Sequence, residues 1–319
     1  MIVAGVFILG LAILVKGADM LVDGASAIAV RLGITPIVIG LTVVAFGTSL
    51  PELIVNIFAA LDGSTDIAIG NVLGSNIANI LLILGIAALV RPLTVQHGTV
   101  WKEIPFSLLA VLVIGVMAND RLIDGLPFNA LTASDGLVLL LFFLVFMYYT
   151  YTISKNPDIK AEELTGLVPL GWAIPLVLLG LCFLVLGGKA VVDAAVILAG
   201  LFGLSEAVIG LTVVAVGTSL PELVTSAIAA YKGNPEIAVG NVIGSNIFNI
   251  FWILGVSSVV RSLPFSEALT RDVGMVILVT GMLFAFMFIG KRNELERWQG
   301  GSFVLIYAAY LILLVSGAA

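Results

Sequence analysis

The chain has one cysteine, Cys182, and one histidine, His97, in 319 residues. A lone cysteine excludes an intrachain disulfide and a cysteine metal cluster, and a lone histidine excludes a histidine-rich zinc site. Cys182 reads as a small buried hydrophobe and His97 as a loop residue. Charge is scarce too. Asp, Glu, Lys and Arg make up 11% of the chain, against about 25% in ordinary soluble domains. There is no basic patch for nucleic acid, so the net charge of −6 says little about partners. No basic region precedes the first apolar run, so the N-terminus does not read as a signal peptide. Lys16 lies inside that run instead.

Hydrophobic residues make up 61% of the chain and the mean hydropathy is +1.21. A water-soluble core large enough to hide this much apolar surface is implausible, so lipid is the solvent for most of the chain. Apolar stretches of about 20 residues, each long enough to cross the hydrocarbon, recur throughout. They divide into ten, near 2–28, 36–60, 66–90, 100–118, 132–153, 169–199, 206–230, 236–260, 271–290 and 298–317. The predicted class is an all-α, polytopic membrane protein.

The chain is also written twice. VIGLTVVAFGTSLPEL begins at Val38 and VIGLTVVAVGTSLPEL at Val208; IAIGNVLGSNIANI begins at Ile67 and IAVGNVIGSNIFNI at Ile237. The offset is 170 residues, and 34 of the 56 positions from Pro36 to Arg91 are identical across it. Gly17 and Asp23 meet Gly187 and Asp193 at the same offset. Five spans per copy is an odd number, so the second copy enters the membrane upside down. Ten helices as two inverted five-helix repeats, an arrangement common in secondary transporters, is the expected architecture.

The expected units are residues 1–153, a linker at 154–168 and residues 169–319. Lys155, Asp158, Lys160, Glu162 and Glu163 make that linker the one notably polar connection. With both termini outside, nine Lys and Arg fall on cytoplasmic loops and ends, against Arg121, Arg261 and Arg271 outside. This bias favours that orientation in a cell membrane.

Ionisable groups inside a membrane cost about 2.5–3.5 kcal/mol each on insertion scales. Glu52 and Glu222 lie deep in the second and seventh spans at equivalent positions of the repeats. No basic residue occurs in spans two, three, seven or eight. Lys16 and Lys189 are conceivable partners, but a bound cation is the better one. Pro51 cannot bond the carbonyl of Gly47, and Gly47 adds local freedom. The span is therefore expected to kink and to leave carbonyls such as those of Ala45 and Thr48 free for an ion. Ala45, Thr48, Ser49 and Glu52 share one helix face, as do Ala215, Thr218, Ser219 and Glu222.

In GNVLGSNIAN and GNVIGSNIFN, Ser75 faces the same way as Asn79, and Ser245 as Asn249. Gly70/Gly74 and Gly240/Gly244 read as GxxxG packing pairs, which leaves the paired Ser and Asn unexplained. All these donors are oxygens, which selects hard cations; Ca²⁺ takes about six to eight. The inventory alone does not separate Ca²⁺ from Mg²⁺, Mn²⁺ or several monovalent ions. Asp23 and Asp193 read as helix-end or interhelical polar contacts.

The doubled GTSLPE and GNVxGSNIxN motifs resemble the alpha-repeats of the sodium/calcium exchanger family, in its minimal prokaryotic form. The resemblance covers nearly the whole chain. It implies Na⁺/Ca²⁺ antiport by alternating access through sliding of the first and sixth helices, usually three Na⁺ for one Ca²⁺. No cofactor is implied beyond the transported ions, and a monomer is the expected functional unit. Ca²⁺ would be bound by Glu52 and Glu222 with the carbonyls of Thr48 and Thr218. One Na⁺ site would use Ala215, Thr218, Ser219, Ser75 and Glu52. Its mirror would use Ala45, Thr48, Ser49, Ser245 and Glu222, with Asn79 and Asn249 lining the middle. Some relatives carry Asp at Asn249, and the potassium-dependent branch uses it; Asn implies independence from K⁺.

The competing readings are a Ca²⁺/H⁺ or other divalent cation antiporter, a cation channel and a membrane enzyme. Duplicated hydroxyls have little use in a proton-only counter-site. Inverted repeats with broken helices favour alternating access over a channel. An enzyme lacks any Ser–His pairing.

Overall fold

The computed structural model describes residues 2–123, 125–154, 168–201 and 215–315. The helices that span are α1 (Ile2–Leu32), α2 (Pro36–Thr48 and Leu50–Asp62), α3 (Thr65–Val90), α4 (His97–Met117) and α5 (Ala133–Thr152). The second copy supplies α6 (Leu170–Leu201), α7 (Ala215–Thr218 and Leu220–Tyr231), α8 (Pro235–Val260), α9 (Glu267–Phe286) and α10 (Arg297–Val315). Residues 202–214, where the sequence places the start of the seventh span, and linker residues 155–167 lie outside the described residues. Among the described residues, eight of these helices are each long and apolar enough to cross a membrane, and the two segments of α2 pass the same test together; the chain is a multi-pass membrane protein.

The two copies share their irregularities as well as their helices. The break after Thr48 falls at Ser49 (φ −85°, ψ 8°), and its counterpart at Ser219 (φ −89°, ψ 8°). Leu93–Thr94 (β1) follows α3 as Leu263–Pro264 (β3) follows α8. β1 pairs antiparallel with Glu294–Leu295 (β4), between α9 and α10, and β3 pairs with Ala130–Leu131 (β2), between α4 and α5. Each copy thus lends a short strand to the other, and the inverted arrangement puts the two ribbons at opposite ends of the bundle.

Burial divides the bundle. α8 and α3 are almost wholly enclosed, whereas α1, α4, α5, α6, α9 and α10 turn apolar faces outward. Cys182 belongs to such an outward face of α6 and is exposed, not buried as its type suggested. Hydrocarbon outside the bundle removes the penalty that water would impose on that exposure. His97 begins α4 instead of lying in a loop.

α1 and α6 meet along bare glycine backbone. A Cβ on Gly17 would sit 2.8 Å from the Gly180 carbonyl oxygen, and one on Gly187 would sit 2.6 Å from the Leu14 nitrogen. Gly10 faces Ala190 and Val191, and Gly24 faces Ala173. Without hydrophobic drive between helices in lipid, close van der Waals contact of this kind holds a pair together.

The ninth helix ends at Phe286, not near residue 290 as its apolar run suggested. The buried Gln299 side chain donates to the carbonyls of Phe286 and Ile289 and so holds Met287–Ile289 in a turn.

Candidate functional site

The site begins where α2 and α7 break. Pro51 and Pro221 each stand in the first turn of a new helical segment, where a missing N–H costs nothing. Glu52 and Glu222 occupy the same first turns, so the positive end of each segment's dipole favours their negative charge. The two segments of α2 meet at 48°. The break falls at Ser49, not at Gly47. Gly47 stays helical, and its missing Cβ lets the Leu181 side chain of α6 pack against it. The Ala45 carbonyl is engaged as well: it accepts from the Ser49 N–H at 3.0 Å, which leaves its second lone pair for a further donor or an ion.

Across this break the repeats exchange hydrogen bonds. Ser49 donates to Oε1 of Glu222 at 3.0 Å, and Ser219 donates to Oε1 of Glu52 at 3.2 Å. The Ser219 hydroxyl also lies 3.3 Å from that of Ser75. Thr48 donates to the Asn241 amide oxygen at 3.0 Å. Thr218 ends the Ala215–Thr218 segment as Thr48 ends its own. Ala45 is fully buried, and its Cβ faces Gly244.

On the other wall, α3 and α8 cross with their amides paired. Asn79 donates to the side-chain oxygen of Asn246 at 2.9 Å, and Asn249 to that of Asn76 at 3.0 Å. Sequence reasoning missed Asn76 and Asn246. Their signal was present, because both copies of the motif carry them identically. Flanking pairs repeat as well: Asn71 donates to Asn56, and Asn241 to Ser226. π-helical stretches at Gly40–Val44, Asn79–Leu84 and Phe248–Leu254 interrupt the α-helical ladder beside these residues, an irregularity often found at functional sites.

Of the buried side-chain oxygens without a partner among the described residues, five belong to the residues of this site: Oε2 of Glu52, Oε2 of Glu222, the Ser245 hydroxyl, and the amide oxygens of Asn79 and Asn249. All five belong to nearly inaccessible residues. Buried polar groups are ordinarily satisfied, and an orphan costs about 1–3 kcal/mol. Four of the five come from symmetry-related pairs. Lys16 and Lys189 do not supply the missing partner. Lys16 pairs with Asp19 at 2.7 Å, and Lys189 with Asp193 at 2.9 Å. The arrangement is chemically suited to a hard cation.

The packing pairs read from GxxxG hold for Gly240 and Gly244, which lie against the backbone of Gly40 and Leu41. The partners to be expected for Gly70 and Gly74, Gly210 and Leu211, lie outside the described residues.

The family model described as sodium/calcium exchanger protein matches residues 2–152 and 172–316. The chain belongs to the sodium/calcium exchanger family. It is 36% identical to the sodium/calcium exchanger MaX1 of Methanosarcina acetivorans, over 97% of each chain. It is 38% identical to CaxA of Alkalimonas amylolytica, whose name describes an antiporter without giving its ions, over 99% of this chain and all of that one. A solved structure of the sodium-calcium exchanger NCX_Mj, soaked with Na⁺ and Ca²⁺, superimposes with a TM-score of 0.83 at 33% identity and covers 99% of this chain and 98% of that one. The family is one of membrane antiporters, not enzymes, and this exchanger is a cation antiporter.

Proposed function

We propose that this chain exchanges Na⁺ for Ca²⁺ by alternating access, electrogenically and without K⁺. The observation that carries the reading is the set of five unpartnered oxygens around two buried carboxylates. Two negative charges neutralise one divalent ion. Glu52 and Glu222 hold Ca²⁺ with the carbonyls of Thr48 and Thr218. Ser75, Ser219, Ala215 and Thr218 with Glu52 form one Na⁺ site. Ser245, Ser49, Ala45 and Thr48 with Glu222 form the other, and the amide oxygens of Asn79 and Asn249 line the centre. The crossed Ser49–Glu222 and Ser219–Glu52 bonds support this pairing of donors across repeats. The functional unit is a monomer, with both termini outside.

At three Na⁺ for one Ca²⁺, one net charge moves, and 100 mV contributes about 2.3 kcal/mol. A tenfold Na⁺ gradient contributes about 1.4 kcal/mol per ion. The total of about 6.5 kcal/mol sustains a Ca²⁺ gradient of between four and five decades. The test is ⁴⁵Ca²⁺ uptake into proteoliposomes with Na⁺, K⁺ and H⁺ gradients imposed separately. Uptake driven by Na⁺ alone is expected. Uptake driven by a pH gradient with no Na⁺ would replace this reading with Ca²⁺/H⁺ antiport.

A further inference from the structure

α1 carries Asp19 and Asp23, and both meet one lysine of the second repeat. Lys232, at the C-terminal end of α7, lies 2.5 Å from Asp19 and 2.6 Å from Asp23. It also donates to the Asp19 carbonyl at 3.2 Å. At the offset of 170 residues, Lys232 corresponds to Asp62 and Asp19 to Lys189. The pair recurs in the other repeat with its charges exchanged, and inversion puts it at the opposite face of the membrane.

Only one of the two pairs is made in this structure. Lys189 turns back along its own helix to Asp193, and Asp62 has no ion-pair partner among the described residues. The helices show the same asymmetry. α1 packs along Leu220–Tyr231 of α7, whereas α6 scarcely touches the equivalent Leu50–Asp62 of α2. Exchanging the conformations of two inverted repeats generates the opposite access state of such a transporter. Applied to this chain, the exchange brings Lys189 to Asp62 and parts Lys232 from Asp19.

We propose that Lys232–Asp19/Asp23 and Lys189–Asp62 are alternating latches, each holding the α1–α6 pair against the rest of the bundle in one access state. The second latch has a single acid, and Asp193 competes with it for Lys189, so it is the weaker. The inference rests on antiport by alternating access, but not on which ions are exchanged.

The test uses thiol pairs in a Cys182→Ser background, joined by a short bifunctional methanethiosulfonate reagent because a lysine side chain is longer than a disulfide. Asp19→Cys with Lys232→Cys is expected to cross-link readily. Asp62→Cys with Lys189→Cys is expected to cross-link at low yield, rising several-fold when Lys232→Gln is added. Either cross-link arrests exchange, and reductant restores it, which also shows that the variants fold. Failure of the 62/189 pair to cross-link during turnover, or a yield indifferent to Lys232→Gln, overturns the latch. If both pairs behave as expected but Na⁺ drives no flux, the ion assignment falls and the latch stands.

Discussion

Ser49 of the first repeat donates its hydroxyl to Glu222 of the second at 3.0 Å, and each glutamate is left with one buried oxygen unpaired. The carboxylates are therefore oriented by the opposite repeat while keeping half their acceptor capacity. Replacing either by an amide removes one charge and places N–H groups where acceptors are needed. Breaking a buried charge interaction from one side costs about 3–5 kcal/mol, and about 1.4 kcal/mol is tenfold. Glu52→Gln or Glu222→Gln is expected to lower Ca²⁺ flux by roughly 100-fold or more. ⁴⁵Ca²⁺ uptake by equal amounts of reconstituted protein measures this, and near-normal flux in both variants would remove the site.

The serines separate the two ions. In the proposed assignment Ser49 and Ser219 bind Na⁺ and only orient the carboxylates for Ca²⁺. A hydrogen bond to a charged group is worth about 1.5–3 kcal/mol. Ser49→Ala and Ser219→Ala should each raise the Na⁺ concentration for half-maximal exchange by about tenfold or more. Ca²⁺/Ca²⁺ exchange, which needs no Na⁺, should change less. Equal losses in the two assays would contradict the assignment.

Much of the site is legible in the residues alone. Glu52 and Glu222 announce themselves because lipid makes a carboxylate expensive and a duplicated one hard to dismiss. The serines and asparagines follow from the same doubling. Gly47 shows the limit: conformational freedom there is the expected cause of the break, but the residue serves packing against Leu181 and the chain breaks at Ser49. A missing Cβ permits both outcomes, and only the neighbouring helix decides between them. Asn76 and Asn246 escape a local reading because their partners lie in the other repeat, 173 and 167 positions away. No local periodicity reports such a contact. The π-helical stretches have no evident local signal either. The end of α9 depends on Gln299, one helix further on.

Those two asparagines lead to a third prediction. The Asn76 side-chain oxygen holds the Asn249 amide so that its own oxygen stays unpaired. Asn76→Leu leaves a buried N–H₂ without an acceptor and frees that amide to turn. A stability loss of about 1–3 kcal/mol is expected, read as a lower melting temperature. Asn76→Asp keeps an acceptor at the position and should recover more of the apparent cation affinity than Asn76→Leu does. No difference in affinity between the two would reduce Asn76 to a packing residue.

The glycine seam makes a fourth. Gly17 and Gly180 leave no room for a Cβ, since each would meet backbone of the opposite helix within 3 Å. Overpacking typically costs about 1–3 kcal/mol. Gly17→Ala and Gly180→Ala should each lower thermal stability by that amount, and Gly17→Val should abolish exchange by forcing α1 away from α6. Gly5 is the control, because a Cβ there would meet nothing within 4 Å. Gly5→Ala should be silent in both assays.

The last prediction concerns pH at Lys232. Burial opposes its ammonium, but the hydrogen bonds to Asp19 and Asp23 outweigh that and hold its pKa above the ordinary 10.5. The groups facing it are Asp19 and Asp23, with Lys16 bonded to the same Asp19. A group whose pKa is higher in the folded protein contributes its full stabilisation below the unfolded value. That contribution fades as pH climbs through the folded value. The stability gap between the native chain and Lys232→Gln should therefore be flat from neutral pH to about 10 and close only above it. Thermal unfolding of both proteins in detergent across that range measures the gap. A gap that closes near neutrality would mean that the lysine is not held as an ammonium between two carboxylates, and the contact between α1 and α7 would then need another source of attraction.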